Sequence, residues 1–284
     1  MVTLIEALTM GIGILKDSDI ETPAVDAGVL LCHAVGCDRT YLYAHGEQQM
    51  GDMSHERYTT YLHMRIGGTP VQYITGHCEF MSLDFVVGPD VLVPRPDTEV
   101  LVETAVRMLE ATGQPWKVLD IGTGSGCIAV SIAHFLKNCM VAAVDISEAA
   151  LVIAKQNAVN NKVSDRIEFI KSDLFECLDC RRFDVILSNP PYIRSGDIQK
   201  LQREVRNFEP HSALDGGPDG LAFYRKVVGE SPGHLKAQGL LAFEVGYDQA
   251  AEVASLMECL YTDIEIFRDL AGIDRVVTGK LKQL

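Results

Sequence analysis

Between residues 117 and 245 short apolar runs alternate with helix-like segments, and no other feature restricts the fold so strongly. Runs at 117–121, 140–145, 167–171, 183–188 and 239–245 are too short for buried helices and are rich in Val, Ile and Leu. Strands separated by helical segments such as 127–135 and 149–160 pair in parallel through crossovers, with helices covering both sheet faces. Two last runs, 264–268 and 275–280, are joined too closely for a crossover and predict an antiparallel hairpin at the sheet edge. The expected fold class is α/β, a doubly wound, mostly parallel seven-stranded Rossmann-like sheet.

Upstream the periodicity changes. Leu4, Leu8 and Ile12 recur at helical spacing, and Thr22-Pro23 supplies an N-cap and a first-turn proline ahead of Val29, Leu30 and His33. A further helix is predicted over 54–66, ending before Gly67-Gly68-Thr69-Pro70. Short β-like runs at 79–87 and 91–93 flank Gly88-Pro89-Asp90, which predicts a hairpin with its turn there. A helix then opens near Pro96, with Asp97 or Thr98 as its cap and Val100, Leu101, Ala105 and Met108 on its apolar face. These patterns give a small N-terminal helical domain (1–75), a linking β-hairpin (76–95) and a catalytic domain (96–284).

Composition narrows the partners. A net charge of −14 opposes a broad phosphate-binding footprint, so no direct sequence-specific nucleic-acid binding is expected, and a basic protein surface is the better complement. No stretch reaches the roughly 20 apolar residues of a membrane span, and Glu6 stands where a signal peptide carries positive charge. A cytoplasmic protein, a monomer with no membrane association, is expected. The eight cysteines then read as reduced thiols. Cys177 and Cys180 have the spacing of half a zinc site but no second pair or nearby His, and no metal is expected.

The first parallel strand leads into Asp120-Ile121-Gly122-Thr123-Gly124-Ser125-Gly126 and then a helix. Glycines at such a turn admit a ligand close to the backbone, and the helix start offers N–H groups. The spacing differs from the dinucleotide fingerprint, and Asp120 would repel a bare diphosphate. S-adenosylmethionine, cationic and free of phosphate, suits an acid there. Asp145 ends the second strand, where it would accept from ribose hydroxyls, and Asp173 and Leu174 follow the third, where they would meet the adenine. After the fourth strand comes Asn189-Pro190-Pro191-Tyr192. Two prolines give a stiff loop lacking N–H donors, so its carbonyls are left to accept from a planar NH2 group. The Asn189 oxygen is a second acceptor, and the Tyr192 ring is a face on which a conjugated group would stack.

These residues resemble the class I S-adenosylmethionine-dependent methyltransferases and, within them, the HemK/PrmC-type release-factor glutamine methyltransferases. The resemblance covers nearly the whole chain, through Gly68-Thr69-Pro70-Val71-Gln72-Tyr73, Pro94-Arg95-Pro96-Asp97-Thr98-Glu99, Asn189-Pro190-Pro191-Tyr192, Glu209-Pro210, Glu244-Val245-Gly246 and Asp269 to Arg275. It implies methyl transfer to the side-chain amide nitrogen of the glutamine in the Gly-Gly-Gln loop of a peptide-chain release factor, with S-adenosylhomocysteine as the other product. Asn189, Pro190, Pro191 and Tyr192 would hold the amide. Asn-Pro-Pro-Tyr is shared with adenine-N6 methyltransferases, and a ribosomal-protein glutamine methyltransferase is the nearer alternative. Arg95 and Glu99 would either position substrate or join domains, and Gly216-Gly217-Pro218 would form either a lid or tight turns.

Overall fold

The computed structural model describes residues 2–110 and 115–283, and the chain divides into two compact units. The first comprises residues up to His77 together with Gln202–Phe208. It holds α1 (Leu4–Lys16), α2 (Pro23–Val35), α3 (Arg39–Ala44), α4 (Asp52–Ile66) and α5 (Val71–Thr75). Thr3 and Glu6 close a reciprocal cap on α1, satisfying two backbone N–H groups that would otherwise lack partners. Thr22 does stand at the N-cap of α2, but its hydroxyl donates to Asp26 Oδ1 at 2.8 Å instead of capping the backbone. Leu30, Leu31, Tyr58 and Leu62 fill the core, beside a buried ion pair between Arg65 and Asp26 at 2.7 Å.

In the second unit the expected sheet is present. It is built from β3 to β9, after a two-stranded hairpin of β1 (His77–Phe80) and β2 (Leu83–Val86) whose first residue, His77, groups with the helical unit. After α6 (Pro96–Glu110) come β3 (Trp116–Ile121), α7 (Cys127–Phe135), β4 (Cys139–Asp145), α8 (Glu148–Asn160), β5 (Ile167–Lys171) and β6 (Phe183–Ser188). Helix α9 (Arg203–Phe208) belongs to the first unit, where Glu204 pairs with Arg65 and Arg203 and Phe208 pack close to Gly68. Then α10 (Ala222–Glu230), β7 (Leu235–Glu244), α11 (Ala250–Met257), β8 (Tyr261–Arg268) and β9 (Asp274–Leu281) complete the chain. The strand order is β5-β4-β3-β6-β7-β9-β8, parallel except for β9, which runs antiparallel to both neighbours. Alternate residues along β3 enter different cores: Val118 packs with α6 and α7, and Leu119 with α10 and α11. The order reverses between β3 and β6, so the loops after these two strands flank the crevice where open α/β sheets bind ligands.

Three local expectations are corrected. The hairpin turns at Met81-Ser82, both at positive φ (51° and 59°), a pair that matches the right-handed strand twist without glycine or asparagine. Gly88-Pro89-Asp90 is not its turn, and 91–93 is not a strand. The hairpin is also part of a core: Phe80 and Phe85 are buried against each other, Glu99 Oε1 accepts from Met81 N at 2.6 Å, and the Asn157 carboxamide bonds both backbone groups of Val86. Finally, Pro96 opens α6, so Asp97 and Thr98 lie inside the first turn and neither caps it.

Candidate active site

A cavity of about 640 Å³ lies within the second unit at the carboxyl ends of β3, β4, β5 and β6. Gly122, Gly124, Asp145, Asp173, Leu174, Asn189, Pro190 and Pro191 line it, which brings the four expected strand-end loops to one site. Its volume falls within the roughly 300–1,000 Å³ typical of small-molecule sites. Ser188 Oγ donates to the Ile121 carbonyl at 2.8 Å, tying the ends of β6 and β3 together beneath both loops.

The glycine turn divides its labour. Gly122 and Gly124 have φ of 72° and 54° and lie on the wall, where a side chain would be strained. Gly126 serves packing instead, since an added Cβ would stand 3.0 Å from the Ala154 Cβ of α8. Asp145 braces the turn from β4: its Oδ2 accepts from Gly124 N and its Oδ1 from Ser147 N, each at 2.8 Å. Each oxygen keeps a lone pair for a ligand hydroxyl. Leu174 holds φ of 48°, an unusual conformation for leucine, at the cavity wall beside Asp173.

Asp120, Thr123, Ser125, Gly126 and Tyr192 are not among the lining residues. Asp120 is fully buried, and its Oδ2 accepts from Thr123 Oγ1 at 2.6 Å and from Ala129 N at 3.2 Å. Through Oδ2 it fastens the turn to the start of α7, where the helix N–H groups need an acceptor, while Oδ1 is buried without a hydrogen-bond partner. Tyr192 is likewise turned from the cavity. Its ring packs beside the core under β6 and β7, and its hydroxyl donates to Glu244 Oε1 at 3.4 Å. Burial raises its phenol well above the ordinary tyrosine range.

Asn189 Nδ2 donates to Thr98 Oγ1 at 3.1 Å. Among the described residues no group donates to the Asn189 side-chain oxygen or to the Pro190 carbonyl. Two acceptors without partners on adjoining wall residues are what a carboxamide or amine clamp requires.

Residues beyond these also shape the site, and one of them, Gln249, carries no obvious signal in the sequence. Gln249, nearly fully buried, donates to the Tyr192 carbonyl at 3.0 Å and to the Gly220 carbonyl at 3.3 Å. Gly216 approaches the motif so closely that a Cβ would sit 2.7 Å from Tyr192 Cα and 2.8 Å from the Pro191 carbonyl oxygen. The segment it belongs to also supplies Pro210, His211 and Ser212 to the cavity. Arg95 pairs with buried Glu209 at 2.5 Å, and Arg275 bridges Asp97 and Asp269 at 2.8 and 2.9 Å. Arg95, Asp97 and Glu99 thus join parts of one unit. Gly216→Ala is expected to cost about 1–3 kcal/mol, because the obstructing atoms are backbone and the loop must move. Urea denaturation of the variant measures this, and an unchanged midpoint would mean the two segments separate freely.

Two carboxyls near the site are shifted by burial: Asp120 from 3.8 up to about 7 and Glu244 from 4.5 up to about 7. For an acid held above its unfolded value, the native state binds the extra proton. Its stabilising contribution is therefore present below the unfolded value and declines as pH rises through about 4 to 7. The thermal midpoint is expected to fall between about pH 4 and 7, and Asp120→Asn should flatten part of that fall. Equal slopes for the two proteins would show that Asp120 does not titrate there.

Residues 6–76 match the PrmC N-terminal domain family and residues 96–207 the methyltransferase small domain family. A curated release factor glutamine methyltransferase from Koribacter versatilis is 41% identical over 279 residues, covering 98% of each chain. Another, from Clostridium acetobutylicum, is 41% identical over 275 residues and 96% of each chain. A solved methyltransferase from Pyrococcus furiosus has a TM-score of 0.52 at 20% identity, covering 72% of this chain and 91% of that one, and it supports the fold alone. With 41% identity sustained across both units, the chain belongs to the release factor glutamine methyltransferase family.

Proposed function

We propose that the protein transfers a methyl group from S-adenosylmethionine to the side-chain amide nitrogen (N5) of the glutamine in the Gly-Gly-Gln motif of peptide-chain release factors, in the cytoplasm. One observation carries this reading: the Asn189 side-chain oxygen and the Pro190 carbonyl stand without donors on the wall of a cavity shared with the glycine turn. The names of the curated relatives and the family's N-terminal domain support the substrate.

The cavity suits this cofactor. Its strand ends carry acceptors, Asp145 and Asp173, for hydroxyl and amino groups, and Leu174 offers an apolar surface for a ring. S-adenosylmethionine, when bound, supplies an electrophilic methyl carbon on a sulfonium.

An amide nitrogen is a poor nucleophile because conjugation withdraws its lone pair, the same conjugation that sets a rotation barrier of about 18–20 kcal/mol in peptides. The two acceptors address this by orientation. Asn189 Oδ1 and the Pro190 carbonyl take the two N–H groups of the glutamine, leaving the nitrogen lone pair aimed at the methyl carbon. Alignment of reactants is worth about 7–11 kcal/mol. As the N–C bond forms and the C–S bond breaks, positive charge grows on nitrogen, and both acceptors hold the transition state more tightly than the ground state. The methylated nitrogen then loses a proton to water, so no dedicated base is needed. Tyr192 backs the clamp from the core side, and the helical unit takes part in holding the protein substrate.

The test is incubation with methyl-labelled S-adenosylmethionine and, in parallel, a release factor, the same factor with its motif glutamine changed to glutamate, a ribosomal protein and an oligonucleotide. Label in the unmodified release factor alone is the expected result. Label in the oligonucleotide, or equal label in both release factors, would overturn the reading.

A further inference from the structure

We propose that Thr98 and Glu244 are positioning residues that fix which end of the Asn189 carboxamide faces the cavity, an inference that rests on the amide clamp proposed above. A carboxamide has a donor end and an acceptor end of nearly equal shape, so packing alone does not orient it. Reversed, Asn189 would present an NH2 to the substrate's NH2, and the clamp would repel what it must hold. Something must therefore set the polarity.

The arrangement behind Asn189 does so. Thr98, 2% exposed in the first turn of α6, accepts from Asn189 Nδ2 at 3.1 Å. A hydroxyl that accepts there has one proton left to give. The Glu244 carboxylate, 1% exposed at the end of β7, keeps its Oε2 buried without a hydrogen-bond partner, and the Thr98 hydroxyl is near enough to favour its ionised form. A carboxylate only accepts, which sets one direction for the relay of hydrogen bonds: the Thr98 O–H donates a hydrogen bond to Glu244, an Asn189 N–H donates to Thr98, and Asn189 Oδ1 is left for the cavity. The Tyr192 hydroxyl donates to the other oxygen, Oε1, so Glu244 also holds the last residue of the motif.

The titratable groups around Glu244 are Asp97 of α6, Arg275 of β9, Cys127 of α7, Tyr192 and Tyr224 of α10. Burial is the largest influence and raises the Glu244 carboxyl to about 7, with Asp97 adding to the rise and Arg275 opposing it. Once protonated, Glu244 is able to donate to Thr98, and the relay is free to run backwards. Turnover should then fall on the acid side through a single ionisation that belongs to neither substrate nor cofactor.

The experiment compares Thr98→Val, Thr98→Ser and Glu244→Gln in kcat, KM for the release factor and cofactor Kd. Thr98→Val keeps shape and removes the relay, and kcat should fall at least about thirtyfold with KM and Kd nearly unchanged. Thr98→Ser restores the hydroxyl and should stay within about threefold of wild type. Glu244→Gln cannot ionise and, like the protonated acid, donates as well as accepts, so its kcat should lose the acid limb near pH 7 and stay at the low-pH level of wild type. Hydrogen exchange of the Asn189 side-chain amide, read by NMR without substrate, should quicken in Thr98→Val. If wild type methylates no release factor, the proposed function fails while this exchange still reports on the relay. Unchanged exchange in Thr98→Val, serine no better than valine, or an acid limb kept by Glu244→Gln would each overturn the proposal.

Discussion

Asn189→Ala is expected to reduce methyl transfer at least about a thousandfold while cofactor Kd changes by only a few fold. Alanine removes one of the two oxygens that orient the glutamine nitrogen, and it also leaves Thr98 Oγ1 without its donor. Both effects act on the reacting geometry. The cofactor keeps Asp145, the glycine turn and Leu174, none of which depends on the Asn189 side chain. Stopped assays with labelled cofactor, together with calorimetry for binding, separate the two. Near-normal turnover would remove the clamp from the mechanism.

Asp145→Ala should show the opposite division. Here cofactor Kd rises about a hundredfold, and saturating cofactor recovers much of the turnover. The carboxylate holds Gly124 N and Ser147 N and lines the cavity, where the proposed cofactor's hydroxyls would meet it. Hydrogen bonds to charged groups are worth about 1.5–3 kcal/mol each, and a loss of about 3 kcal/mol is roughly a hundredfold in Kd. Calorimetric titration with S-adenosylhomocysteine measures it directly. A Kd within about threefold of wild type would mean that Asp145 only braces the turn.

Much of this was legible in the sequence because the sheet reports itself through period and spacing. Runs of β-branched residues between helical segments leave little choice but parallel crossovers, whereas the reversal between β3 and β6 is seen only in the structure. Asp145 ends its strand and Asp173 and Asn189 follow theirs closely, so strand prediction alone placed them along one edge. What failed was direction within a loop. Asp120 and Tyr192 lie in the right motifs, yet both face inward, because the chemistry that suits a residue to a ligand also suits it to a helix start or a buried acid. Thr98 resembled a cap because threonine favours that position. Pro96 had already opened the helix, which left the hydroxyl free for Asn189. Gly88-Pro89-Asp90 makes a turn beyond the hairpin, with Asp90 on the cavity wall, whereas the hairpin itself turns at Met81-Ser82 without glycine or asparagine. Helix α9 gave no local sign of its unit, since its partners Arg65 and Gly68 lie more than a hundred positions upstream.

That last pairing bears on how such genes can be recombined. A helical module completed by a segment from beyond residue 200 is not a detachable cassette. A crossover near position 77 would hand the new owner a bundle whose Arg65 has lost Glu204 and whose Gly68 face has lost Phe208, with the orphaned segment stranded in the other parent. Chimeras between relatives should therefore express well only when both pieces travel together, and inheritance of the two units is expected to be joint.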